Sequence, residues 1–170
     1  MKYSSYIKNL TEIAMHAAII CVLAQISLPI SVVPITLQAF AVALAGYALG
    51  AKKTIASICV YLLLGTVGVP VFAGFKGGFY VLLSYTGGFL WGFIPYAVLC
   101  SLSKKRIGIY LGIIGCLVCH IIGVLQYSLV SRTGLWLSAL TVSVPYLLKD
   151  VLLTVIAYFV AGRINKLKKR

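Results

Sequence analysis

The sequence predicts an all-α integral membrane protein, a bundle of six transmembrane helices. Three observations predict it. Hydrophobic residues make up 62% of the 170 positions and charged residues only 10%, far from the balance of a soluble domain. Charges are missing altogether from 13–51, 54–75, 77–103, 107–131, 133–148 and 151–162. A spanning helix needs about 20 apolar residues, and the first of these runs, cut by Pro29 and Pro34, is long enough for two. The basic residues, finally, cluster at the ends of the runs.

The expected helices follow in order, forming one membrane domain over 1–170. The first covers about 11–28 and stops at Pro29; the second covers about 35–51, opening after Pro34 and closing at Gly50 before Lys52-Lys53. A third, about 54–71, is interrupted at Gly65, Gly68 and Pro70. A glycine-rich loop, Phe72-Ala73-Gly74-Phe75-Lys76-Gly77-Gly78, then leads to the fourth, about 81–102. The fifth covers about 107–130, between Arg106 and Arg132, and the sixth about 144–164, ahead of the basic tail. An even number of spans puts both termini on one side, where 12 of the 15 cations then fall. The positive-inside rule makes that side the cytoplasm and turns the glycine loop outward. The first ten residues lack the apolar core and cleavage site of a signal peptide.

The net charge of +13 invites a nucleic-acid reading. It fails, because the cations mark span ends and leave no soluble basic face to follow phosphates. Cys116-Leu117-Val118-Cys119-His120 spells the covalent haem signature. It lies about ten residues into the fifth helix, where haem attachment has no access, so these cysteines read as small packing residues. With two acids and two histidines in the chain, acid–base and metal chemistry have few candidates. No serine–histidine–acid set, metal cluster or nucleotide-binding loop is spelled. Small residues four apart (Ala14 and Ala18, Gly46 and Gly50, Gly88 and Gly92, Gly108 and Gly112) fit close helix packing in lipid.

Two lone charges stand out. Lys76 is the single charge between Lys53 and Lys104, and a cation in a glycine-lined loop beside Phe72, Phe75, Phe79 and Tyr80 suggests a small-anion site. Asp150 is the single acid after Glu12, and ionisable groups within spans face cavities or partners. Tyr146 and Thr154 lie one turn either side of it on the same face. Lys149 points about 100° away and is not expected to pair with it. Arg132 reads as an interfacial anchor near Trp136, and Glu12 with His16 as a cap or interface pair.

Certain runs resemble a known family. Pro34-Ile35-Thr36-Leu37-Gln38, Leu49-Gly50, Tyr61-Leu62-Leu63-Leu64-Gly65, Gly68-Val69-Pro70-Val71-Phe72-Ala73-Gly74 and Thr86-Gly87-Gly88-Phe89 with Gly92-Phe93 are similar to the BioY family. That family is the biotin-specific, substrate-binding membrane subunit of energy-coupling factor transporters of the prokaryotic cytoplasmic membrane. The resemblance covers about 11–165 and is densest over 34–93. It implies a high-affinity biotin pocket toward the outer face, a transmembrane coupling subunit and two ATPase subunits as partners, and no covalently bound cofactor. Ala14 and Ala18 would seat the coupling subunit.

Biotin's ureido N–H groups would meet Asp150, its ureido carbonyl Thr36, Gln38, Tyr85 or Thr86, and its carboxylate Lys76. Phe72, Phe79, Tyr80 and Trp91 would cover its apolar bicycle. Tyr85 stands where the family usually carries proline. Leu153 stands where it often carries lysine, whose role is then either lost or moved to Lys149, one residue before the aspartate but on a different face. Rival readings are a subunit for another vitamin or precursor, a ligand-free membrane scaffold and, last, an intramembrane enzyme.

Overall fold

Inside lipid a backbone must satisfy its own N–H and C=O groups, so charge-free runs of this length fold as helices. The computed structural model describes residues 2–28, 33–102 and 107–168. In chain order it contains α1 (Lys2–Gln25), a short antiparallel ribbon of β1 (Ser27–Leu28) and β2 (Ile35–Thr36), α2 (Gln38–Leu49) and α3 (Ala51–Thr66). There follow α4 (Tyr80–Leu83), α5 (Gly87–Ser101), α6 (Ile107–Ser131), α7 (Leu135–Val142) and α8 (Val144–Leu167). In the ribbon Ser27 pairs with Thr36 and Leu28 with Ile35. α1, α6 and α8 are long and apolar enough to cross a membrane, and α2 and α5 are shorter apolar helices. Pro29 and the cations Lys104, Lys105, Arg106, Lys169 and Arg170 lie outside the described residues.

Several boundaries differ from the sequence expectation. α1 starts at Lys2, well before the apolar run, because a polar extension can continue a helix without lipid around it. The third helix stops at Thr66, and Gly68 takes a left-handed φ of 103° that turns the chain into the glycine-rich loop. The expected helix over 81–102 is two pieces, broken at Ser84–Thr86. Gln126 of α6 explains the break, since its Nε2 donates to the carbonyls of Leu82 at 2.7 Å and Ser84 at 2.9 Å. Carbonyls freed from a helix need such partners where water is scarce. Between the expected fifth and sixth helices lies α7, a short apolar helix whose Ser138 is fully buried.

α5 lies hard against α6, and glycines make the approach possible. A Cβ at Gly88 would sit 2.6 Å from the Ile122 carbonyl oxygen, and one at Gly92 2.8 Å from Cys119 Sγ. Small residues of this kind let helices close where no hydrophobic effect drives them together. Tyr96 of α5, 1% exposed, shares a 2.5 Å hydrogen bond with the Thr154 hydroxyl and so ties α5 to α8. α2 packs between α5 and α8, and α1 lies along α3.

At one end of the bundle Glu12 accepts from Lys53 at 2.6 Å and Lys168 at 2.9 Å, holding α1, α3 and α8 together. The buried His16 donates from Nδ1 to the Glu12 carbonyl oxygen at 2.9 Å. Glu12 is therefore a clamp between helices. Arg132 and Trp136 are both exposed. So are Leu129, Leu148 and Leu167, each about 70% or more accessible. That apolar exterior suits lipid far better than water.

Gly88→Ala is expected to lower stability by about 1–3 kcal/mol, the cost of forcing extra atoms into a packed contact, beyond the gain of up to about 1 kcal/mol in helix propensity. Gly162→Ala, where a Cβ meets nothing within 4 Å, is expected to be neutral or mildly stabilising. Thermal unfolding of both variants in detergent checks the contrast.

Candidate functional site

The chain's irregular pieces meet its helix ends around one cavity. Its empty volume, open solvent included, is about 700 Å³. Val33, Pro34 and Thr36 come from the ribbon side, and Gln38 and Ala39 from the start of α2. The glycine-rich loop supplies Phe72, Ala73 and Lys76. Val81, Thr86, Phe89, Leu90 and Phe93 come from α4 and α5, and Val142, Tyr146, Lys149 and Asp150 from α7 and α8. The two lone charges of the sequence, Lys76 and Asp150, thus share one hollow.

Asp150 is the most engaged group in it. Its side chain is 14% exposed; Oδ2 lies 3.2 Å from His120 Nε2, and Oδ1 lies 2.6 Å from Lys149 Nζ. The expectation that Lys149 and Asp150 do not pair is corrected by that contact. Their helix directions do diverge, but a flexible four-carbon stem lets the ammonium curl back. It is caught there by the Thr36 carbonyl oxygen, which accepts from Nζ at 2.8 Å. The ammonium sits near Oδ1 without hydrogen-bond alignment, so Oδ1 is a buried acceptor with no hydrogen bond.

The polar floor nearby is ordered by neighbours. Gln38, 7% exposed, donates from Nε2 to Tyr61 Oη at 2.6 Å and accepts at Oε1 from the Thr36 hydroxyl at 3.2 Å. Tyr61 also meets the Phe72 ring edge to face at 5.4 Å. Phe72, 1% exposed, lies flat over Gly65, where any Cβ would overlap its ring. Tyr146 donates to the Val33 carbonyl oxygen at 2.6 Å, joining α8 to the ribbon side. Thr154, though on the same helix face, is fully buried against Tyr96 and lies outside the cavity lining.

The loop that carries Lys76 is a tight turn. The Phe72 and Lys76 backbones bond each other in both directions, at 2.9 and 3.2 Å. Gly74 at φ 72° and Phe75 at φ 56° supply the left-handed backbone the turn requires; Phe75 does so at some cost, having a Cβ. Gln25, at the end of α1, braces the turn. Its Nε2 donates toward the Pro70 and Phe72 carbonyls at 3.4 and 3.3 Å, and its Oε1 accepts from the Phe75 N–H at 3.0 Å. Lys76 is exposed, and its ammonium has no hydrogen-bond or ion-pair partner among the described residues.

Of the residues singled out in the sequence, Thr36, Gln38, Phe72, Lys76, Thr86, Tyr146, Lys149 and Asp150 line the cavity. Phe79, Tyr80 and Tyr85 do not: they are 60%, 65% and 47% exposed, and Tyr85 packs instead on Tyr127. Trp91 likewise lies outside the lining and donates to the Leu82 carbonyl oxygen at 3.3 Å. Phe79 and Tyr85 flank α4 and Tyr80 opens it, with all three rings toward the exterior. Ala14 and Ala18 are exposed on α1, Ala18 in a shallow apolar groove with Met15, Ile19, Val22 and Leu23.

Sequence reasoning missed Gln25, Phe89, Phe93, His120 and Ser143. His120, 4% exposed, reaches Asp150 through Nε2 and Ser143 Oγ through Nδ1 at 3.0 Å. A serine–histidine–aspartate chain, not spelled in the sequence, therefore exists in space, but its serine is outside the cavity lining. The signal that marked Asp150, an ionisable group within a span, applied equally to His120.

Comparison with known proteins places these features. Residues 1–170 match the model of the BioY family. A protein named biotin transporter BioY, from Thermotoga maritima, is 37% identical over 167 residues, covering 95% of this chain and 98% of the relative. A probable biotin transporter BioY from Pyrococcus horikoshii is 34% identical, covering 93% and 96%. The crystal structure of the S-component for biotin from an ECF-type ABC transporter superposes with a TM-score of 0.89 at 24% identity, covering 98% of this chain and 95% of that one. It has the same fold.

Gln25→Ala is expected to release the turn from α1. Hydrogen exchange should then quicken, about tenfold for each 1.4 kcal/mol of local protection lost, at the Phe75 amide. The Gly112 amide inside α6 should keep its rate.

Proposed function

We propose that this chain, which belongs to the BioY family, is the biotin-binding membrane subunit of an energy-coupling factor uptake transporter. The observation that carries the reading is the placement of one unpaired cation and one partly buried carboxylate on the wall of a single apolar-sided cavity. Biotin has the complementary shape: a ureido ring with N–H donors and a carbonyl, an apolar bicycle, and a carboxylate on a flexible chain. Relatives named for biotin transport cover nearly the whole chain.

In this reading the ureido N–H groups donate to Asp150, filling the hydrogen bond that Oδ1 lacks. Gln38 Nε2 carries two hydrogens and spends one on Tyr61, so the second is the donor available to the ureido carbonyl. Thr36 and Thr86 border that position. Phe72, Phe89 and Phe93 flank the bicycle, and Lys76 meets the carboxylate where the loop turn brings it to the rim. Lys149 balances the Asp150 charge and stands in for the lysine absent at Leu153.

The chain spans the membrane six times, with both termini in the cytoplasm and the cavity toward the outer face. The distribution of cations supports that orientation. It is a transport protein of the prokaryotic cytoplasmic membrane and carries no catalytic site. Partner ATPase subunits supply the energy through a transmembrane coupling subunit, which docks on the exposed α1 face at Ala14 and Ala18.

Detergent-purified protein is expected to rise in melting temperature with biotin and with no other water-soluble vitamin, since binding to the folded state stabilises it by mass action. A panel in which biotin gives no shift overturns the reading, and a shift with a different vitamin changes the cargo. Asp150→Asn should weaken biotin binding by about 1.5–3 kcal/mol, the scale for hydrogen bonds to charged groups. Lys76→Ala should cost less, about 0.2–1 kcal/mol, because an exposed ammonium is screened by water. Titration calorimetry of the two variants ranks the losses.

A further inference from the structure

A carboxylate inside a bundle does not hold its own orientation. Rotation about its last bond swings both oxygens, and Lys149 Nζ already lies 2.6 Å from Oδ1. His120 stands on the other oxygen, Oδ2, where a donor can fix the plane of the group. Its ring is 4% exposed in α6, between two helices and against the edge of Phe89, whose centroid lies 5.5 Å away. A buried imidazole needs both nitrogens satisfied, and both are: Nε2 faces Asp150 Oδ2 at 3.2 Å, and Nδ1 faces Ser143 Oγ at 3.0 Å.

The proton's place follows from the partners. An ionised carboxylate only accepts, so Nε2 carries the hydrogen and donates it to Oδ2. In the neutral ring Nδ1 then accepts from the Ser143 hydroxyl. Ser143 stands at the junction of α7 and α8, so the chain of three groups fixes the ring from a second element. With Oδ2 occupied, the oxygen left without a hydrogen bond is Oδ1.

We propose that His120 is a positioning residue for ligand recognition: held by Ser143, it binds Oδ2 of Asp150 so that Oδ1 is presented to an N–H donor of the ligand. The proposal rests on the reading of the cavity as a biotin site. His120 does not line the cavity and acts through Asp150 alone. Removing it leaves Oδ2 without its donor and the carboxylate plane free to rotate, so that Oδ1 is no longer held in one direction.

The test compares equilibrium biotin binding by the wild type, His120→Phe, His120→Gln, Asp150→Asn and the His120→Phe/Asp150→Asn double variant. His120→Phe is expected to weaken binding about ten- to a hundredfold, the scale of one charge-assisted hydrogen bond. His120→Gln, whose amide N–H can replace Nε2–H, should recover most of that. On the Asp150→Asn background the phenylalanine should cost less than about threefold, since coupled residues are not additive. A loss repeated in full on that background, or a glutamine no better than phenylalanine, overturns the proposal in favour of simple packing.

Nitrogen-15 spectra of histidine-labelled protein carrying His16→Gln add a readout that needs no phenylalanine variant. A protonated Nε2 whose resonance moves in Asp150→Asn supports the proposal, and an unprotonated Nε2 overturns it. A wild type that binds no biotin sinks the cavity reading and the proposal together. A wild type that binds, with His120 variants within twofold of it, sinks the proposal alone.

Discussion

Burying a carboxylate among membrane helices is unfavourable by several kcal/mol unless charge and hydrogen bonds compensate it. Asp150 is the residue that imposes this requirement, and much of the surrounding architecture answers it. His120 comes from α6, Lys149 from the preceding position on α8, and both are themselves anchored, one by Ser143 and the other by the Thr36 carbonyl. Three chain segments are thereby drawn to one point. The compensation stays incomplete at Oδ1, and an incompletely satisfied acceptor beside a hollow is the condition in which a ligand's donor gains most.

The rest of the molecule divides into a close-packed helical frame and two irregular segments that lean on it. α5 and α6 meet through glycines that leave no room for even a methyl group, and the Tyr96–Thr154 bond pins α5 to α8. Against that frame the ribbon is tied by Tyr146 and Lys149, and the glycine-rich turn by Gln25, by the Gly78 N–H on the Gly65 carbonyl oxygen and by the buried Phe72 ring against Tyr61. Both segments wall the cavity.

Much of this was legible in the sequence, and the limits have physical causes. Charge-free runs located the helices because lipid leaves the backbone no alternative. Lys76 and Asp150 were legible because a charge inside such runs is costly enough to need a purpose. What depended on a partner distant in sequence was not. The break at Ser84–Thr86 exists because Gln126, some forty residues later, satisfies the freed carbonyls. The exposure of Phe79, Tyr80 and Tyr85 follows from the direction in which α4 leaves the loop, which residue type alone does not encode. His120 was passed over because its local spelling drew attention to haem chemistry while its bonds ran across space.

Lys149 shows how a side chain can reach a neighbour that its helix position points away from. A lysine three residues after an aspartate lies about 60° from it around a helix and faces the same side, whereas one residue before lies about 100° away. Leu153 occupies the first of these places and Lys149 the second. The wider angle would aim the ammonium past the cavity if nothing held it. The Thr36 carbonyl does hold it, at 2.8 Å, and brings Nζ to 2.6 Å from Oδ1. The charge that balances Asp150 is therefore tied to β2 as well as to α8. A rearrangement of the ribbon would shift that ammonium, and with it the competition for the very oxygen that a ligand would use. Lys149 thus links the carboxylate to the ribbon as well as to its own helix.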